Sequence, residues 1–129
     1  MADILFLTLA EVIDIHADQI ERYGGSHGVR DMNLLSSAVA MPYASFGNEY
    51  LHADIFEMAA AYAFHIAQNH PFIDGNKRAA LGSALVFLEL NAVGIVDPRG
   101  KLYDAMIGIA SGQLGKNEFA NLLRKLAGK

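Results

Sequence analysis

The chain predicts an all-α fold of about six helices, and three observations carry that expectation. Apolar residues recur at three- and four-residue spacing through successive stretches. Those stretches open on capping residues and close on glycine, asparagine or proline. The composition, 53% hydrophobic and 19% charged over 129 residues, is that of a compact soluble protein with enough chain for one core. A single domain spanning residues 1–129 is expected, with no repeat, low-complexity segment or linker inside it.

Thr8-Leu9-Ala10-Glu11 has the capping-box pattern, with Thr8 as N-cap and Glu11 reaching back. Leu9, Val12, Ile13, His16 and Ile20 follow at helical spacing, and Gly24-Gly25 ends the helix. Asp31 caps a short second helix carrying Leu34, Leu35 and Val39, which Pro42 stops. Residues 42–51 mix aromatics with Gly47-Asn48 and read as a hairpin or irregular flap before the central helix. That third helix runs from about Asp54 to Asn69, and its many alanines predict close helix packing in the middle of the fold.

A fourth helix is expected from Asn76 to about Leu90, burying Leu81, Leu85 and Leu88, with Asn91 and Gly94 as stop signals. Asp97-Pro98 has the form of an N-cap followed by proline at the first helical position, which predicts a fifth helix carrying Leu102, Met106, Ile107 and Ile109. Residues 112–115 break it. The last helix, from Asn117, carries Phe119, Leu122, Leu123 and Leu126, with Arg124 and Lys125 where cations suit the helix dipole.

Several function classes are excluded at once. With no cysteine there is no disulfide, thiolate nucleophile or cysteine metal site, which fits the cytosol. No apolar run reaches the roughly 20 residues of a membrane span, and no signal peptide is evident. A net charge of −4 argues against direct nucleic-acid binding, so any phosphate chemistry must be local.

Between the third and fourth helices lies His70-Pro-Phe-Ile-Asp-Gly-Asn-Lys-Arg78. Lys77 and Arg78 would occupy a helix's first turn, where the dipole already disfavours cations, and a bound anion relieves that conflict. The free N–H groups of that turn are themselves an anion site. His70 suits a general base or acid, since imidazole titrates near physiological pH; alone, it would read as a cap on the third helix's last carbonyls. Asp74 suits Mg²⁺ shared with substrate phosphates, or equally an N-terminal partner of the fourth helix. Gly75 permits close backbone approach to a ligand, and Asn76 suits either an N-cap or a phosphate contact. His16, His27, His52 and His65 have no metal-type spacing, and Walker-type and nucleophile-elbow motifs are absent.

These nine residues strongly resemble the signature of the Fic/Doc superfamily, His-x-Phe-x-Asp/Glu-Gly/Ala-Asn-Gly/Lys-Arg, at every fixed position. Lysine at position 77, leucine rather than arginine at position 81, and the short chain resemble its death-on-curing (Doc) toxin branch, as does Tyr23–Asp31. The resemblance implies a helical Fic/Doc-type bundle in which His70 deprotonates a protein hydroxyl. Asp74 would hold Mg²⁺ on the nucleotide, and Gly75, Asn76, Lys77 and Arg78 would hold its phosphates. Phe72 would be structural. The flap of Tyr43, Ala44, Ser45, Phe46, Gly47, Asn48, Glu49 and Tyr50 would align the target's backbone.

It also implies a toxin of a type II toxin–antitoxin system, a kinase moving the γ-phosphate of ATP to a Ser/Thr hydroxyl of elongation factor Tu and arresting translation. Lys77 would favour inverted placement of ATP. A small antitoxin would inhibit in trans through a disordered C-terminal segment that folds on binding. Ser45-Phe-Gly-Asn-Glu49 matches the first five positions of the internal inhibitory motif of some relatives, but Tyr50 follows and Gly47 interrupts it. The alternatives are a Fic-type AMP transferase and a catalytically silent helical binding module.

Overall fold

Six α-helices and one tiny hairpin make up the computed structural model, which describes residues 3–128; the outermost residues of the expected 1–129 domain lie outside them. Helix α1 (Leu9–Tyr23) begins with the predicted capping box: Glu11 N–H donates to Thr8 Oγ1 at 3.1 Å, and Thr8 N–H donates to Glu11 Oε1 at 2.8 Å. It buries Val12, His16 and Ile20, one face at helical spacing. Helix α2 (Met32–Ala40) is capped by Asp31, and Pro42 then lies in a 3₁₀ turn, Met41–Tyr43. The flap is a hairpin of β1 (Ser45–Phe46) and β2 (Glu49–Tyr50) turning at Gly47-Asn48, and so is not a helix.

Helix α3 (Ile55–Asn69) is the hub. It packs against α2, α4 (Asn76–Leu90), α5 (Lys101–Ala110) and α6 (Lys116–Leu126), while α1 lies on α4. One helix can touch four others only if its surface is small on several sides. Ala59, Ala60, Ala61 and Ala63 are fully buried, and so are Ala79, Ala80 and Ala84 of α4. Alanines on both helices let the backbones approach closely, and Tyr62, Ile66, Phe87 and Leu88 fill the remaining space at zero exposure.

Buried and half-buried polar groups tie the periphery to this hub. The Tyr62 hydroxyl accepts from Leu7 N–H at 2.8 Å and donates to Leu7 O at 3.4 Å, and burial pushes its pKa up to about 12. Asn91 closes α4 and clasps Leu5 through both main-chain groups. Arg124 of α6 reaches Asp54 at 2.9 Å and Glu57 at 3.4 Å, locking α6 to the first turn of α3.

Three expectations are corrected. Asp97 is not the N-cap of a helix starting at Pro98. Residues 98–99 form a turn, Gly100 (φ +66°) takes the cap position, and α5 starts at Lys101. Asp97 instead reaches forward, its carboxylate accepting from Lys101 and Leu102 N–H at 2.9 Å each. The core face of α4 is rotated from the leucine stripe: Leu81 and Leu85 are half-buried, whereas Ala79, Ala80, Ser83, Ala84 and Phe87 are enclosed, because α3's alanines draw α4's small face inward. On α5, Leu102, Met106 and Ile109 are buried and Ile107 is exposed.

Candidate active site

The loop of residues 70–75 is bent by its own backbone and braced from outside. Pro71 disfavours helical geometry in the residue before it, and His70 takes the left-handed conformation (φ 52°, ψ 52°) as the C-cap of α3. Its main-chain N–H still reaches Ile66 O at 3.2 Å, but its ring does not cap the helix. Arg30 does that instead, donating from Nε to His70 O at 2.8 Å and from Nη2 to Asn69 O at 3.2 Å. The segment around Arg30 runs beside the loop as a short bridge pairing Val29 with Phe72. Arg30 and Asp31 N–H donate to Pro71 O, and Ile73 N–H donates to Gly28 O.

Phe72 is fully buried and anchors the loop. The imidazole of His16, itself buried, stacks flat on it with centroids 3.8 Å apart and a 2° interplanar angle. From there His16 Nε2 donates to Asp74 O at 2.7 Å. A histidine with no metal-type neighbours thus proves to be the strut between α1 and the loop.

Asp74 is exposed, yet its carboxylate is engaged: Gly75 N–H donates to Oδ1 at 2.8 Å and Ser26 N–H to Oδ2 at 3.1 Å. Those two amide bonds, with smaller help from the Arg78 and His16 charges, hold it below the usual carboxylate range. Each oxygen keeps a lone pair free, so an ionised, outward-facing carboxylate is available to a hard cation. A single carboxylate is the habitual protein share of a Mg²⁺ that also takes waters and phosphate oxygens, so Asp74 fits that ion. Gly25 permits this approach. A Cβ there would stand 2.6 Å from Asp74 Oδ2, and its φ of +118° is one that side chains rarely adopt.

At the start of α4, Gly75 (φ 74°) is the N-cap and Asn76 the first helical residue, so Asn76 is not the cap. Its carboxamide turns inward: Oδ1 accepts from Phe72 N–H at 2.9 Å, and Nδ2 donates to Phe72 O at 3.0 Å and faces His70 Nδ1 at 3.2 Å. Among the described residues the main-chain N–H groups of Asn76, Lys77 and Arg78 have no acceptor, the ordinary state of a helix's first turn and the source of its affinity for anions. The two cations then part ways. Arg78 Nη1 donates to Gly24 O at 3.0 Å and Gln19 O at 3.3 Å, capping the C-terminus of α1. Lys77 is exposed and, among the described residues, makes no hydrogen bond or ion pair.

The six residues singled out in the loop line one cleft of about 520 Å³: His70, Asp74, Gly75, Asn76, Lys77 and Arg78. The cleft is also lined by Gln68 at the end of α3 and by Tyr103 and Ala110 of α5. Sequence reasoning missed these, since helical spacing marks which residues are apolar and not which helix faces which. None of the flap residues is among those lining the cleft; Tyr43 and Tyr50 pack on Phe6, and Phe46 stands 84% exposed.

Among the described residues, an imidazole, a carboxylate held in its ionised form, first-turn amides without acceptors and an unpaired lysine surround one cleft carried on the helix–loop–helix of a small helical domain. The sequence model of the Fic/DOC family matches residues 6–88, and the chain belongs to that family. It is similar to a protein of Escherichia phage P1 named protein kinase doc, with 37% identity over 118 residues and 92% of each chain covered. It is also similar to toxin Doc of Mycolicibacterium smegmatis, 41% identical over 71 residues and 55% of each chain.

Proposed function

We propose that this chain is a Doc-type toxin kinase that moves the γ-phosphate of ATP to a Ser/Thr hydroxyl of a protein target. The observation that carries the reading is the convergence of His70, Asp74, the first-turn amides of α4 and Lys77 on one cleft. The name of the phage relative supports the choice among phosphate chemistries.

In this reading the nucleotide's phosphates lie across the amides of Asn76, Lys77 and Arg78, where the helix dipole and the Lys77 ammonium offset their charge. Asp74 holds Mg²⁺, which supplies further neutralisation of the phosphate oxygens when bound. His70 takes the hydroxyl proton as the target oxygen bonds to the γ-phosphorus, and the bond from that phosphorus to the β-bridging oxygen breaks, releasing ADP. Phosphoryl transfer asks for positioning and charge neutralisation above all, and the brace of Arg30, His16 and Ser26 supplies rigidity to the loop that does both. Arg78 serves chiefly by fixing α1 against α4, and its charge adds to the field at Asp74.

The target we infer is a translation factor of the elongation factor Tu type, aligned by the flap hairpin, whose exposed Phe46 edge suits strand addition. The inhibitor is a small antitoxin acting in trans, and both partners place the activity in the cytosol. Among the described residues no helix is long and apolar enough to cross a membrane. The test is transfer to elongation factor Tu from Mg²⁺-ATP labelled at the γ- or the α-phosphate. Label from γ alone, lost in His70→Ala, supports the kinase. Label from α overturns it in favour of AMP transfer, and absence of both overturns the target.

A further inference from the structure

We propose that Asn76 is a positioning residue that sets the tautomer of His70, so that at rest the imidazole carries its proton on Nε2. The orientation of the Asn76 amide is fixed independently of His70. Its Oδ1 accepts from Phe72 N–H and its Nδ2 donates to Phe72 O, so the same main-chain residue reads both ends of the carboxamide. Turning the amide over would set donor against donor and acceptor against acceptor at a site where Asn76 is only 6% exposed and Phe72 is fully buried.

The second Nδ2 hydrogen is left pointing at His70 Nδ1, 3.2 Å away. A nitrogen facing a fixed donor must present its lone pair, so in the neutral ring the proton sits on the other nitrogen. His70 is exposed while Asn76 is enclosed, so Nε2 is the nitrogen turned toward solvent and cleft. The resting ring therefore offers the cleft an N–H donor, suited to a phosphate oxygen, and not the lone pair that a general base needs.

Before Nε2 can accept a hydroxyl proton it must shed its own. The proton leaves Nε2 for water, another arrives at Nδ1, and the contact with Asn76 opens because two donors cannot share it. The loop carries a built-in preference for the donor form, and catalysis must overcome it. The base role of His70 belongs to the proposed kinase reading. The tautomer belongs to the free chain and needs no nucleotide or target to be observed, so the two can fail separately.

The experiment is ¹⁵N NMR of the histidine rings in the full-length protein near pH 8, with His70 assigned from His70→Gln. We expect His70 Nδ1 at the unprotonated position and Nε2 at the protonated one, with roughly tenfold or greater preference, the worth of about one hydrogen bond. Asn76→Asp, which places an acceptor opposite Nδ1, should move the proton to Nδ1. In His70→Ala, where the exposed ring is removed and Asn76 kept, one of the two Asn76 amide proton resonances should shift. A wild-type ring protonated on Nδ1, or Asn76 amide resonances unchanged in His70→Ala, overturns the proposal. So does a folded Asn76→Asp protein with the wild-type tautomer.

Discussion

Gly25 lies outside the His70–Arg78 loop, yet its replacement should disable the site, and a neighbouring glycine supplies the control. Gly24 (φ +85°, ψ 171°) and Gly25 (φ +118°) both hold backbone conformations that strain a side chain, so either alanine should cost about 1–3 kcal/mol. For a chain of this size each kcal/mol lowers the melting temperature by about 4 °C. The space around them differs. A Cβ at Gly24 meets nothing within 4 Å, whereas at Gly25 it stands 2.6 Å from Asp74 Oδ2, against an ordinary contact of 3.4 Å or more. The carboxylate must retreat by about 0.8 Å, a distance at which misplacement of a reacting group typically costs about 10²-fold in rate. Because Oδ2 already sits 3.1 Å from Ser26 N–H, that retreat also breaks the bond that helps keep Asp74 ionised. We therefore expect Gly25→Ala to melt a few degrees below Gly24→Ala, because its Cβ also presses on Ile20 Cδ1 at 3.1 Å and Arg78 Nη2 at 3.2 Å. Gly25→Ala should lose about 10²-fold in phosphate transfer and require more Mg²⁺ for half-maximal nucleotide binding, while Gly24→Ala should stay close to wild type in both. Indistinguishable Mg²⁺ titrations for the two variants would refute the claim that the Gly25 backbone sets where Asp74 stands.

Lys77→Ala should leave the melting temperature unchanged and lower transfer by about 10²-fold, because among the described residues the exposed lysine makes no bond and, in the proposed reading, it acts on the ligand. Arg78→Ala should instead destabilise by about 1–3 kcal/mol in urea titration, through the uncapped carbonyls of Gln19 and Gly24. Phe72→Ala should cost about 3–5 kcal/mol, seen as a lower urea midpoint, since it empties a fully buried position and removes the surface on which His16 stacks. Stability should also fall with acid through His65. Burial foremost, then the Lys116 ammonium 3.1 Å away and the nearby His52, bring its pKa from 6.5 down to about 4. Above pH 6.5 the ring is neutral in both states and costs nothing. Between pH 6.5 and 4 the unfolded chain takes up a proton that the folded chain refuses, so stability drops across that window. Allowing for the ring's partial exposure the loss is about 1–2 kcal/mol. His65→Gln should flatten that part of a melting-temperature profile against pH, and a profile of unchanged slope would remove His65 as its source.

What the sequence determined by itself was most of the local structure. Caps at Thr8 and Asp31, the stop at Asn91 and the His70–Arg78 loop all depend on groups within a few residues of one another, and helix ends are decided at that range. The loop's six ligand-type residues share a cleft for the same reason: a short loop cannot scatter them. Where the local pattern misled, at Pro98 and along the Leu81 and Leu85 stripe, a glycine's left-handed turn and the small face of a neighbouring helix outweighed it. Only the tertiary structure could assign labour within the loop. Lys77 and Arg78 are adjacent cations of similar promise in the sequence, but α1's carbonyl ends lie beside one and open space beside the other. Likewise His16 became a strut, Arg30 a cap and Gly25 a seat for Asp74 because chain segments some 40 to 60 residues apart meet there. Hydrogen bonds and contacts act over a few ångströms of space, so roles that depend on such meetings are written in the packing of α1 and the 28–31 segment against the loop, and not in the spacing of residues along the chain.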